Sequence, residues 1–159
     1  MSYQVPRMDA AQSRAWLAIV GTAELLPAAL DAQLQADAQL THFEFMVLTT
    51  LRRSGATRMT RLAAATNATL PRLSKVVSRM EARGLVERAS GDADGRAVSV
   101  SLTGDGRRAL VRATPGHLDY VRKLVIDRLT PEQLEAVASA LEPVVEALDP
   151  QHRFGPAAS

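Results

Sequence analysis

The apolar positions of this chain recur mostly three or four residues apart, so it reads as a succession of helices. Over about residues 9–33, Trp16, Val20, Ala23, Leu30 and Leu34 keep to one side. Pro27 lacks a backbone donor and is expected to kink or break that helix. A second helix begins at Thr41, a good N-cap, with Glu44 three residues on to complete a capping box. Leu40 and Phe45 are placed to staple around it; Phe45, Leu48 and Leu51 follow one stripe until Ser54-Gly55 stops the helix. A short helix from Thr60 to about Thr66 comes next, then a longer one from Thr69 to about Arg83 that ends at Gly84. On the longer one Leu73, Val76, Val77 and Met80 fall at i, i+3, i+4 and i+7 as a buried stripe. Pro71 sits in its first turn, where a missing N–H costs nothing.

The period then changes to two. Leu85–Arg88 reads as a strand, residues 91–95 as a glycine-flanked turn, and Ala97–Leu102 as the return strand. Helices resume with one from near Thr103 and another over His117–Arg128. The last opens on Thr130-Pro131-Glu132-Gln133, with a threonine cap, proline at the first position and a glutamine closing the capping box. Leu134, Val137, Leu141, Val144, Val145 and Leu148 give it a strong apolar stripe. The tail over residues 149–159 holds two prolines and small residues and is expected to be disordered.

Helix, short helix, turn, helix and two-stranded hairpin is the order of a winged helix-turn-helix. The expected fold is therefore mainly α with a small β-hairpin wing. The expected organisation is an N-terminal helix region (1–39), a winged helix-turn-helix (40–112), C-terminal helices (113–148) and the tail.

Charge sharpens this picture. The whole chain carries +2, but residues 50–112 hold thirteen Lys/Arg against five Asp/Glu, a balance of +8. The remainder holds six against twelve, a balance of −6, so the middle is suited to a polyanion and the ends are not. If the stripe on the 69–83 helix packs inward, Thr69, Pro71, Arg72, Ser74, Lys75, Ser78 and Arg79 lie on its outer side. Short polar groups with three cations suit a helix lying in a major groove. Arg72 and Lys75 stand near the end that usually reaches base edges; Arg79 and Arg83, further on, are placed for phosphates. Arg96 at the hairpin tip fits the adjacent minor groove, whose A·T-rich segments attract arginine, with Asp94 placed to aim it.

Residues 40–110 resemble the multiple-antibiotic-resistance regulator (MarR) family of bacterial transcription factors. The resemblance rests on LTHFEFMVL (40–48), RMTRLAAATNATLPRLSKVVSRMEARGLVER (58–88) and DGRAVSVSLTGDGR (94–107). The Asp-x-Arg of the wing, followed by alternating valines and Leu-Thr-x-x-Gly, is its most specific piece. It implies a homodimer whose terminal helices interlock to form a dimerisation region, with double-stranded DNA bound at a palindromic operator. It also implies a small aromatic or phenolic effector that releases the operator from a cleft that Trp16, His42, Phe45 and Met46 are candidates to line. The chain has no cysteine, which excludes disulfides and the peroxide-sensing branch of the family.

Other functions find less support. Three dispersed histidines, His42, His117 and His152, stand without a nucleophile motif, a phosphate-binding glycine loop or ligand spacing for a metal. No enzyme, cofactor or metal site is expected. A winged-helix module that binds protein is the alternative, disfavoured by the cations of the 69–83 helix. The N-terminus lacks a signal-peptide layout and no apolar run approaches the ~20 residues of a membrane span, so a cytoplasmic protein is expected.

Overall fold

The computed structural model describes residues 7–90 and 98–154. Its elements are α1 (Ala10–Ala38), α2 (His42–Ser54), β1 (Thr57–Arg58), α3 (Met59–Ala65) and α4 (Leu70–Ala82), then β2 (Val86–Ser90), β3 (Val98–Leu102), α5 (Gly104–Leu124) and α6 (Pro131–Leu148). A single 3-10 turn, Ile126–Arg128, joins the last two helices.

Helix starts follow local chemistry closely. Thr41, Thr69, Thr103 and Thr130 each accept a hydrogen bond from the N3 amide of the helix they precede. The Thr41–Glu44 and Thr130–Gln133 capping boxes both form. A third box, Asp9 with Gln12, opens α1. Gly55 and Gly84 stop their helices with φ of 67° and 69°, the left-handed region that glycine enters without strain.

Continuity departs from expectation at two prolines. α1 runs through Pro27 and five residues past its expected end, to Gln39 in a left-handed cap. α5 is one helix through Pro115 rather than two, with Leu110, Ala113 and His117 buried on either side of the proline. α5 carries buried residues on both sides of its proline, whereas α1 around Pro27 is largely exposed. By length and composition α1 is also apolar enough to cross a membrane. Its inner end, however, belongs to the lobe: Leu30 and Leu34 are buried and Asp31 accepts a hydrogen bond from the His42 amide at 2.8 Å.

The core gathers Leu34, Leu40, Val47, Leu48, Leu51, Leu62, Leu73, Val77, Met80, Val86 and Val100 beneath α4 and the sheet. The α4 stripe is buried as its spacing predicts. In α2 the buried set is Glu44, Val47, Leu48 and Leu51, while Phe45 is only half-buried. The hairpin gains a third strand: β1 pairs antiparallel with β3, giving the order β1-β3-β2, with Thr57 and Arg88 both opposite Val100. Two residues are too short for a period to show, which is why β1 escapes a reading of the pattern.

Packing also explains the Leu-Thr-x-x-Gly signature. The Thr103 hydroxyl donates to the Gly84 carbonyl at 2.6 Å and accepts from the Gly106 amide at 3.0 Å. The Thr103 amide reaches the Leu85 carbonyl at 3.3 Å. α5 is thereby drawn so close to the start of the hairpin that a methyl at Gly106 would overlap the Leu85 carbonyl. Gly106→Ala should therefore destabilise the protein by ~1–3 kcal/mol through overpacking, read as a lower midpoint in urea unfolding. An unchanged midpoint would mean that this approach is not enforced.

Candidate nucleic-acid interface

α4 is built so that its outer surface is polar. Burying Leu73, Val76, Val77 and Met80 leaves Pro71, Arg72, Ser74, Lys75, Ser78 and Arg79 all exposed. Thr69 is exposed as well and spends its hydroxyl on the cap, 3.4 Å from the Arg72 amide. Among the described residues Arg72, Lys75 and Arg79 form no ion pair, so three positive charges remain open on one helix face. Asp94 and Arg96 lie outside the described residues.

Three arginines fix α4 in place. The Arg72 guanidinium lies over the Phe43 ring at 4.6 Å, a cation–π contact that aims the charge without neutralising it. Arg88, on β2, donates to the Ser74 carbonyl at 3.0 Å and the Ser78 hydroxyl at 2.9 Å, and pairs with Glu81 at 3.3 Å. Arg88 thus pins the wing to α4 and occupies Ser78 from the side. Arg83 corrects the sequence expectation. It pairs with the buried carboxylate of Glu44 at 3.2 Å and donates to the Gln39 carbonyl at 2.7 Å, so it holds α4 to the α1–α2 junction and is not an open phosphate ligand. None of these partners is within helical spacing, so one-dimensional pattern carries no sign of Phe43, Arg88 or the Arg83–Glu44 pair.

A separate cleft of about 620 Å³ opens on the other side of α2. His42, Phe45 and Met46 line it, as the sequence suggests, joined by His117, Arg53 and Arg61. Trp16 does not. It is 53 % exposed on α1, roughly 21 Å along the helix axis from Leu30, where α1 enters the lobe. The Phe45 and His117 ring centroids are 4.5 Å apart, those of His42 and His117 6.1 Å. Burial holds the His42 pKa below the usual histidine value, against a smaller opposing pull from Asp31. Burial first, and then His42 itself, does the same to His117, whose Nδ1 lies 3.1 Å from Gln33 Oε1. Both rings are therefore neutral near pH 7, and the positive charge on the cleft wall comes from the arginines.

The MarR family model matches residues 40–98. No curated protein is detectably similar. Among solved structures, the chain is similar to Sco3205, a MarR family transcriptional regulator from Streptomyces coelicolor solved in complex with DNA. Identity is 37% over 94% of this chain and 95% of that one, with a TM-score of 0.86. AbsC, a MarR family transcriptional regulator from the same organism, is 32% identical over 92% of this chain and 100% of its own, with a TM-score of 0.85. BpsR from Bordetella bronchiseptica, whose DNA binding is regulated by 6-hydroxynicotinic acid, is 25% identical with a TM-score of 0.74, over 83% and 98% of the two chains.

Two outcomes follow from this geometry. Arg79→Ala should reduce the slope of log binding constant against log salt by about one on duplex DNA. A slope equal to that of the wild type would remove this side chain from the interface. The depressed histidine pKa values set the sign of a pH effect. The unfolded chain takes up protons near 6.5 where the folded chain does not, so stability is complete above that pH and is lost as pH falls through it. Melting temperature should fall between about pH 7.5 and 5.5, and less steeply in a His42→Gln/His117→Gln double variant.

Proposed function

Because the chain belongs to the MarR family of transcriptional regulators, we propose that it is a homodimeric repressor seated on a pseudo-palindromic operator. One observation carries this reading: the chain separates an exposed cationic helix face from an exposed apolar face. The cations are Arg72, Lys75 and Arg79 of α4. The apolar residues are Trp16, Leu17, Ile19 and Leu25 of α1, Val111 and Leu118 of α5, and Val137, Val144, Val145 and Leu148 of α6. No residue of α6 is buried, although its apolar stripe is as regular as that of α4. Exposed apolar side chains gathered on the terminal helices are what a second subunit covers. Residues 1–39 and 113–148 then serve as the dimerisation region, and residues 40–112 as the DNA-binding lobe.

Two subunits related by a twofold present two α4 helices to successive major grooves. In this reading Arg72 and Lys75 approach base edges, with Thr69, Pro71, Ser74 and Ser78 on the same surface, and Arg79 meets phosphate. Asp94 and Arg96 continue the contact into the minor groove. The protein acts where the chromosome is, in the cytoplasm. A protein-binding winged helix, the alternative, is poorly served by three open cations on α4.

The effector follows from the cleft. Aromatic and thioether walls from Phe45 and Met46, two neutral imidazoles, and Arg53 and Arg61 on the rim suit a small aromatic acid. The regulation of BpsR by 6-hydroxynicotinic acid supports the same class. Binding of such an acid weakens the hold on the operator.

Val145→Asp places a charge on the apolar face at a residue 56 % exposed in the single chain, so folding is spared while dimerisation is opposed. Sedimentation velocity should show a monomer with little operator affinity; a persistent dimer would put the interface elsewhere. Screening aromatic acids by thermal shift tests the effector. A ligand at a hundred times its dissociation constant adds about 2.7 kcal/mol, and silence across a broad panel would remove the cleft from regulation.

A further inference from the structure

Among the described residues between α1 and α5, residues 40–102, only two large apolar side chains are exposed: Leu70 at 45 % and Val98 at 38 %. The rest of the exposed apolar surface lies on α1, α5 and α6 and at the two ends of the described chain. Leu70 and Val98 face one cleft of about 540 Å³ between the start of α4, the start of α3 and β3, with Met59 and Pro71 completing an apolar floor and Arg58 and Ser74 at the rim. Leu70 and Pro71 are the first two residues of α4, directly before Arg72. The first turn of a helix favours acidic side chains, yet this one has none. Its composition is leucine, proline and arginine, all exposed.

This is the end that a groove-lying helix presents to base edges. A leucine there has no hydrogen bond to offer. In the major groove one base-edge group is apolar, the C5 methyl of thymine. We propose that Leu70, held in place beside Pro71, reads a thymine methyl in each half-site. The cations flanking it, Arg72 and Lys75 on α4 and Arg58 across the cleft, draw the polyanion in and favour a duplex over an apolar protein surface. This inference rests on the operator-binding reading above and adds the base it selects.

The test uses the full-length protein and a duplex selected by it from a random library. Each thymine is replaced in turn by deoxyuridine, which deletes the methyl and keeps every hydrogen-bonding group. At one symmetric position per half-site, affinity should fall about fourfold per methyl, equivalent to ~0.8 kcal/mol for one buried CH₂-sized group. Leu70→Ala should bind the thymine duplex about fourfold less tightly per half-site and be indifferent to deoxyuridine at that position; Leu70→Met should restore the discrimination. Leu70 is exposed, so both variants should melt as the wild type does, which separates reading from folding. The proposal is overturned if no deoxyuridine substitution weakens binding, or if Leu70→Ala keeps the wild-type sensitivity. A protein that selects no duplex at all would defeat the operator reading itself, and this inference with it.

Discussion

The structure depends first on the burial of four side chains under one 13-residue helix. Leu73, Val76, Val77 and Met80 are at most 6 % exposed, and burial of each such side chain is worth ~1.5–3 kcal/mol. With 3.6 residues per turn, burying that stripe leaves no freedom about what faces out. Arg72, Lys75 and Arg79 are displayed because the positions between them are consumed by the core. A charge on the inner stripe would be buried unpaired; a leucine in place of any outer cation would extend the apolar surface toward water. The cationic surface and the stability of the lobe are therefore two sides of the same helix.

What could be read from the sequence was what local chemistry decides. Threonine caps at 41 and 130, and starts placed at Thr69 and near Thr103, match four helix beginnings, and glycines at 55 and 84 match two ends. The α4 stripe, and with it the outward set of candidate DNA contacts, was visible at i, i+3, i+4 and i+7. The break that Pro27 allows does not occur, and the two helices expected between Thr103 and Arg128 are one through Leu124. Arg83 and Arg88 misled or stayed silent for another reason. Their partners are 39 to 44 residues from Arg83 and 7 to 14 from Arg88, on other elements, so these neighbours are set by the tertiary fold. Three of four cleft residues were found because α2 alone supplies them; Trp16 was misplaced because nothing in its spacing tells which end of a 29-residue helix meets the lobe.

The first turn of α2 shows how the two sites are joined. His42 lines the cleft, Phe43 lies under the Arg72 guanidinium, and Glu44 pairs with Arg83. Three consecutive residues thus face the cleft, the reading end of α4 and the far end of α4. The Glu44 carboxylate is 3 % exposed, and one of its oxygens, Oε2, serves both the Thr41 amide at 2.9 Å and Arg83 at 3.2 Å. The capping box and the tie to α4 share an atom, so the start of α2 cannot rotate without straining the hold on α4. A rigid turn with fixed contacts on both sides transmits displacement because packed interiors shift between discrete arrangements and do not yield smoothly.

Charge distinguishes the two sides of this turn. Arg53 and Arg61 bring positive charge to the cleft, where burial lowers the pKa values of His42 and His117. The His42 amide is bonded to Asp31 at 2.8 Å, so the start of α2 is held on the α1 side as well as by its two ties to α4. Phe43 carries no charge and contacts only one face of the Arg72 guanidinium, whereas Glu44 is an ion-paired buried acid. The weaker contact gives first, since an exposed cation–π pair is worth ~0.5–1 kcal/mol and an uncompensated buried carboxylate costs several times that. The N-terminal end of α4 is therefore more weakly tied to α2 than its C-terminal end, which Arg83 anchors.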